Sequence, residues 1–138
     1  MKYPNAIETL IEKLRKYPGV GKKTAERYAL YTVNQLSHDA IDEIVEAYLN
    51  IKEEIFHCSI CGNITDIDPC NICTDETRDQ SQMIVVEEAK DILVMEKTGN
   101  FKGQYHVLNG VISPSNGVGP DDIQLKELME RLKDGMIK

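Results

Sequence analysis

Cys58-Ser59-Ile60-Cys61 and, eight residues further on, Cys70-Asn71-Ile72-Cys73 divide this 138-residue chain into three parts. Each C-x2-C pair puts two thiolates on one tight turn, and two such turns facing each other make a tetrahedral cage of four sulfurs. Gly62, directly after the second sulfur, suits the turn because glycine tolerates positive φ and leaves amides free to face sulfur. Thr74 holds the equivalent place after the second pair, so that turn is expected to be less regular. The spacing predicts one structural zinc on Cys58, Cys61, Cys70 and Cys73, with no coordination position left open for chemistry. Iron would accept the same four ligands. Two disulfides would need an oxidising compartment, for which nothing in the sequence argues. His57 adjoins the cage but is surplus to it, and is expected at the surface or behind the ligands.

On the N-terminal side of the cysteines the pattern is helical. Ile7, Leu10, Ile11 and Leu14 fall at i, i+3, i+4 and i+7, the apolar stripe of an amphipathic helix, and Asn5 with Glu8 resembles a capping box. Tyr17-Pro18-Gly19-Val20-Gly21 breaks that helix. A second helix is predicted from about Lys22 to Leu36, with Ala25, Tyr28, Ala29, Thr32, Val33 and Leu36 on one face. A third starts near Ser37 or Asp39 and carries Ile41, Ile44, Val45, Tyr48 and Ile55, with the stem of Lys52 extending the stripe. Three such helices make a small module ending near Phe56.

On the C-terminal side, from about residue 81, the order is strand, helix, strand, helix, which implies a parallel α/β unit. Met83-Ile84-Val85-Val86 reads as a buried strand followed by Glu87 and Glu88. A short helix is expected over Asp91 to Lys97 and a strand at Tyr105-His106-Val107-Leu108. A Gly/Pro/Asn-rich loop then runs to Pro120, and Leu125, Leu128, Met129 and Leu132 mark a last helix.

Charge is unevenly spread. The net formal charge of −7 argues by itself against a nucleic-acid partner. Residues 13 to 27 reverse it locally: Lys13, Arg15, Lys16, Lys22, Lys23 and Arg27 stand against Glu26 alone, a balance of +5. An acidic body with one basic patch suits a partner that touches the patch alone. Within the patch, Gly19 and Gly21 let backbone come close to a phosphate, and the helix beyond them offers unpaired N–H groups and a positive dipole end. Lys22 and Lys23 begin that helix and Arg27 lies one turn beyond Lys23. Such a device grips phosphodiester backbone without reading bases. The blander alternative is a helix–turn–helix corner with a solvated charged face. No apolar run approaches the roughly 20 residues of a membrane span, and Met1-Lys2-Tyr3-Pro4-Asn5 lacks the pattern of a signal peptide. A soluble, cytoplasmic protein with its cysteines in a reducing compartment is expected.

Three stretches in this order resemble the bacterial recombination mediator family RecR. Leu14-Arg15-Lys16-Tyr17-Pro18-Gly19-Val20-Gly21-Lys22-Lys23-Thr24-Ala25 is similar to that family's helix–hairpin–helix motif. The four-cysteine finger holds Asn63-Ile64-Thr65 within it and Arg78-Asp79 after it. Val85-Val86-Glu87-Glu88, Gly103-Gln104-Tyr105-His106-Val107-Leu108-Asn109-Gly110, Ile112-Ser113-Pro114 and Gly117-Val118-Gly119-Pro120 resemble the first part of a Toprim domain. The fold class expected is therefore α+β and multi-module: a helix–hairpin–helix bundle over 1–56, a zinc finger over 57–80 and an incomplete Toprim domain over 81–138, the chain stopping before the next strand of that domain.

The resemblance implies a DNA-binding protein of recombinational repair, nucleoid-associated, that acts with RecO, and in some pathways RecF, to help load recombinase on gapped or single-stranded DNA. It also implies self-association into a ring that encloses DNA. Its DNA-contacting basic residues land on Lys23 and Arg27, with Lys22 standing where the family commonly has proline. It implies no enzyme activity. Catalytic Toprim proteins hold magnesium with a Glu after the first strand and a D-x-D pair after a later one, because Mg²⁺ takes clustered hard oxygens. Glu87 stands at the first of these places and is expected to be non-catalytic. The D-x-D present, Asp66-Ile67-Asp68, lies between the cysteine pairs and reads as a solvated turn. A fragment of a Toprim nuclease or primase, and a zinc-stabilised module whose basic patch binds acidic protein, are the other readings.

Overall fold

The computed structural model describes residues 2–110, 117, 119 and 123–138, and the chain forms two compact units, Met1–Ile51 and Lys52–Lys138. The first unit is built from α1 (Asn5–Leu14), α2 (Lys22–Gln35) and most of α3 (His38–Glu54). Its core is small: Ile11 meets Ala25 and Ala29, with Ile7, Leu10, Leu14 and Val20 packed around them. The two alanines are fully buried, and their size lets α1 and α2 approach closely. Tyr17, just beyond the hairpin's first helix, donates its hydroxyl to that of Tyr48 on α3 at 2.7 Å.

Three expectations need correction here. The capping box does not form: Pro4 is the N-cap, with φ −50, so Asn5 is already helical and Glu8 instead accepts from the backbone N–H of Tyr3 at 3.1 Å. On α2 the buried stripe narrows to Ala25 and Ala29, while Tyr28 and Val33 are about half exposed. On α3 no residue is buried, and Ile44, Val45, Tyr48, Leu49 and Ile51 all face solvent. Periodicity reports that a helix has an apolar face; it does not say that this chain covers it. The start of α3 does obey its sequence signal, since Ser37 accepts the N–H of Ala40 on its hydroxyl oxygen at 3.1 Å.

The second unit begins with a short antiparallel hairpin, β1 (Phe56–His57) paired with β2 (Ile64–Thr65), which carries the first cysteine turn. Beyond the finger, β3 (Met83–Val86) and β4 (Gln104–Val107) pair in parallel, with Met83 opposite Gln104 and Val86 opposite Val107. They are joined through α4 (Ala89–Thr98), whose first turn is closed by a reciprocal capping box between Glu88 and Asp91. The parallel strand–helix–strand unit thus matches the expectation, and α5 (Leu125–Leu132) comes after it.

Burial is distributed differently from the sequence reading. β3, expected to be a buried strand, has only Val86 buried and leaves Val85 43% exposed, whereas all four residues of β4 are buried. Val86, Ile92, Tyr105 and Val107 form the core, and Ile72 from the finger and Phe101 pack against it. Phe101 meets the Tyr105 ring edge-on at 5.3 Å.

Polar groups in β4 are tied in from both sides. His106 donates from Nε2 to the Gln124 carbonyl at 2.7 Å and accepts at Nδ1 from Arg131 at 3.0 Å, which fixes it as the neutral imidazole. Burial, with the Arg131 charge beside it, pushes its pKa down. Arg78, its side chain 8% exposed, forks onto Glu96 at 3.0 and 2.9 Å and donates Nε–H to the Gly103 carbonyl at 2.8 Å. The Tyr105 hydroxyl donates to the same carboxylate at 2.6 Å, and burial together with that carboxylate pushes the phenol up to about 12. The Gly/Pro/Asn-rich loop expected up to Pro120, with the Ile112-Ser113-Pro114 stretch of the resemblance, lies largely outside the described residues.

Candidate metal centre and nucleic-acid interface

The four cysteines come together as the spacing requires. Their sulfurs all lie within 4.8 Å of one another, and Cys58, Cys61 and Cys70 are buried. Cys61 and Cys70 are 3.6 Å apart and Cys58 and Cys73 3.8 Å, so they are free thiols rather than disulfides. A tetrahedral zinc with Zn–S bonds of about 2.3 Å has sulfur–sulfur edges of about 3.8 Å. Backbone amides already face the sulfurs: Asn63 N–H donates to Cys61 Sγ at 3.4 Å and Cys70 N–H to Cys58 Sγ at 3.3 Å, the hydrogen bonds that stabilise metal-bound thiolate.

The electrostatics of the bare thiols point the same way. Hydrogen bonds led by Cys73 bring the Cys61 thiol down to about 5. The same bond and burial push Cys73 far up, and burial raises Cys70. Four clustered sulfurs cannot all carry charge unaided, and a divalent cation removes the conflict because a coordinating thiol is deprotonated outright. The cage fits one structural zinc.

The two turns are alike at their first bond. Gly62 N–H donates to the Cys58 carbonyl at 2.9 Å and Thr74 N–H to the Cys70 carbonyl at 3.1 Å. They differ in how the residue after the second sulfur is held. Gly62 has φ +83, and a Cβ there would stand 3.2 Å from both the side chain and the carbonyl of Val107. Val107 N–H in turn donates to the Cys61 carbonyl at 2.7 Å, so the first turn is sewn onto β4. Position 74 needs no positive φ, and threonine serves there by turning its hydroxyl back to the Cys70 carbonyl at 3.1 Å.

Asp68 is exposed in the turn between the cysteine pairs, as expected, and there accepts the N–H and hydroxyl of Ser59 at 2.8 and 2.9 Å, closing the first turn from the other side. His57 is exposed and donates from Nδ1 to the Gly62 carbonyl at 3.2 Å.

The hairpin is the second site. Val20 N–H donates to the Tyr17 carbonyl at 3.2 Å and Gly19 has φ +80, so Tyr17-Pro18-Gly19-Val20 is a turn that needs glycine at its third place. Gly21 is different. It caps α2 with φ −86 and ψ −177, a conformation open to any residue, and a Cβ there would meet nothing within 4 Å. The first helical bond runs from Ala25 N–H to the Gly21 carbonyl, and no side chain caps this end. The amides of Lys22, Lys23 and Thr24 therefore open outward beneath two lysines, at the positive end of a 14-residue helix. Lys22, Lys23 and Arg27 are all exposed.

Glu87 is exposed beyond the end of β3. Among the described residues, the group of three or more Cys, His, Asp or Glu placed to share one metal ion is the cysteine cage. No helix of the described residues is long and apolar enough to cross a membrane.

Comparison with known proteins covers all of these parts. Residues 7–42 match the family model described as RecR, helix-hairpin-helix, residues 55–75 that of the RecR four-cysteine zinc finger domain, and residues 81–134 that of a Toprim domain. A recombination protein RecR from Streptococcus pyogenes serotype M5 (strain Manfredo) is 52% identical over 137 residues, 99% of this chain and 69% of the relative. The chain belongs to the RecR family. The RecR relatives of serotypes M49 (strain NZ131) and M1 are each 53% identical over the same span. Two features that the sequence reading missed now stand out within this RecR chain: the Arg78–Glu96–Tyr105 network, which no periodicity announces, and Tyr31, which extends the row begun by Lys23 and Arg27.

Proposed function

We propose that the protein is a recombination mediator that binds DNA through the hairpin between α1 and α2, without regard to sequence. The observation that carries this is Gly21: neither its backbone angles nor its neighbours call for glycine. Its missing side chain leaves the first amides of α2 open to an outside group, under Lys22 and Lys23. Gly19 shapes the turn, and Arg27 adds a charge one turn along. Phosphate, which accepts from backbone N–H and pairs with cations, is the chemistry that fits.

The cysteine cage, with Cys58, Cys61, Cys70 and Cys73 as ligands, serves to fold the finger and takes no part in a reaction. The Toprim unit acts as a binding scaffold and not as an enzyme, as the family resemblance implies, with the exposed Glu87 non-catalytic. The names of the relatives support a role in recombination; the family resemblance supports recombinational repair in the cytoplasm, at gapped or single-stranded DNA, with RecO and RecF as partners and with self-association around the nucleic acid.

The test is binding of the whole chain to several unrelated DNA sequences. Lys23→Glu or Arg27→Glu should weaken binding to each by about the same factor, and Glu87→Ala should leave it nearly unchanged. A Lys23→Glu variant that binds as the parent does would remove the hairpin from the interface.

A further inference from the structure

We infer that Tyr28 and Tyr31 form a base-stacking platform for single-stranded nucleic acid, placed next to the phosphate-gripping end of α2; this rests on the DNA-binding reading above. The chain has six tyrosines and no tryptophan. Four of the six have their hydroxyls engaged within the chain: Tyr3 to Glu26, Tyr17 with Tyr48, and Tyr105 to Glu96. Among the described residues Tyr28 and Tyr31 have no such bond, and they are 47% and 58% exposed.

They are not scattered. Tyr28 and Tyr31 are three apart on one helix and line one shallow, mostly apolar hollow with Arg27, Thr32 and Leu36. The Arg27 guanidinium stands 5.8 Å over one face of the Tyr28 ring, so cation and aromatic lie side by side on the helix surface, with the other face of Tyr28 and the ring of Tyr31 left for a base. Lys23, Arg27 and Tyr31 succeed one another at i, i+4 and i+8, one slowly twisting row along about 12 Å of helix. The row is cationic at its N-terminal end and aromatic at the other.

A duplex keeps its bases stacked on one another and offers such a row only phosphate. A single strand offers phosphate and free base faces at once, and an aromatic ring beside a basic track is how sequence-tolerant single-strand binding is built. The local balance of +5 over residues 13 to 27 in an otherwise acidic chain fits a polyanion better than a neutral apolar partner.

The experiment compares the affinity of the full chain for a labelled oligothymidine and for a mixed-sequence duplex of equal length. Tyr31→Ala and Tyr28→Ala should each weaken single-strand binding by about 5- to 100-fold and leave duplex binding within about twofold, whereas Lys23→Glu should weaken both. Tyr31→Phe should keep most of the affinity. Tyr31→Trp should bind, and its fluorescence, the only indole signal in the protein, should fall on adding oligothymidine and much less on adding duplex.

If the alanine variants bind both ligands as the parent does while Lys23→Glu does not, the platform is refuted and the hairpin survives. If Lys23→Glu is silent and the alanine variants are not, the hairpin fails instead. Equal loss on both ligands, accompanied by a fall in oligomer mass by light scattering, would reassign the tyrosines to contact between copies of the chain and overturn the proposal. An indole emission from the Tyr31→Trp variant that is indifferent to single strands would overturn it too.

Discussion

The chain contains two glycines that come one or two residues after a structural break, Gly62 in the finger and Gly21 in the hairpin, and they are glycine for opposite reasons. Gly62 has φ +83 and lies against Val107, so its own fold demands it. Gly21 has ordinary angles and open space where a side chain would be. The same contrast extends to the surrounding residues. In the second unit the distinctive side chains are spent internally: the sulfurs on one another, Asp68 on Ser59, Arg78 on Glu96, His106 between Arg131 and Gln124. In the hairpin Lys22, Lys23, Arg27, Tyr28 and Tyr31 are exposed. Chemistry that a fold does not consume is what remains available to a partner.

Four substitutions probe that contrast, from the largest expected effect on stability to the smallest. Cys70→Ser should abolish metal binding and unfold the finger, because structural zinc of this type contributes on the order of 10 kcal/mol; elemental analysis and thermal melting check it, and a parent protein that purifies with neither zinc nor iron would contradict it. Removing half of the Arg78–Glu96 fork by Glu96→Gln should cost about 2 kcal/mol, discounted for the partial exposure of the carboxylate. The pH dependence carries the sign. Arg78 holds Glu96 below the usual carboxylate range, so its contribution is complete above the unfolded pKa of about 4.3 and is lost as pH falls through the folded value. The parent should therefore lose stability over that acid range more steeply than Glu96→Gln, and parallel curves would assign the fork no role.

Gly62→Ala should cost about 1–2 kcal/mol for the left-handed backbone alone, read as a lowered melting temperature. Gly21→Ala is the sharpest contrast. Alanine's poorer capping and its stiffer unfolded chain offset each other, so stability should stay within about 0.5 kcal/mol while DNA affinity falls several-fold. Destabilisation of Gly21→Ala comparable to that of Gly62→Ala would erase the distinction.

Much of this was legible in the sequence because it is local. The C-x2-C pairs, the Pro18-Gly19 turn and the apolar runs around Met83–Val86 and Leu125–Leu132 are short-range signals, and the elements form where they point. What the sequence did not disclose depends on which face is covered. Tyr28 matched the stripe of Ala25 and Ala29 by spacing, yet α1 covers the two alanines and leaves the ring 47% exposed. Val85 sits in an apolar run and is exposed, while Gln104 and His106, both polar, are buried in β4. Asp68 and Arg78 find partners 9 and 18 residues away, distances over which periodicity is silent.

The central claim, that α2 begins at a phosphate-binding end, is tested most directly by the salt dependence of DNA binding. The logarithm of affinity against the logarithm of salt concentration should be a straight line for the parent chain on mixed-sequence DNA. For Lys23→Glu its slope should shrink by about 0.7 to 0.9 for each phosphate the variant no longer neutralises. An unchanged slope with unchanged affinity would contradict the account.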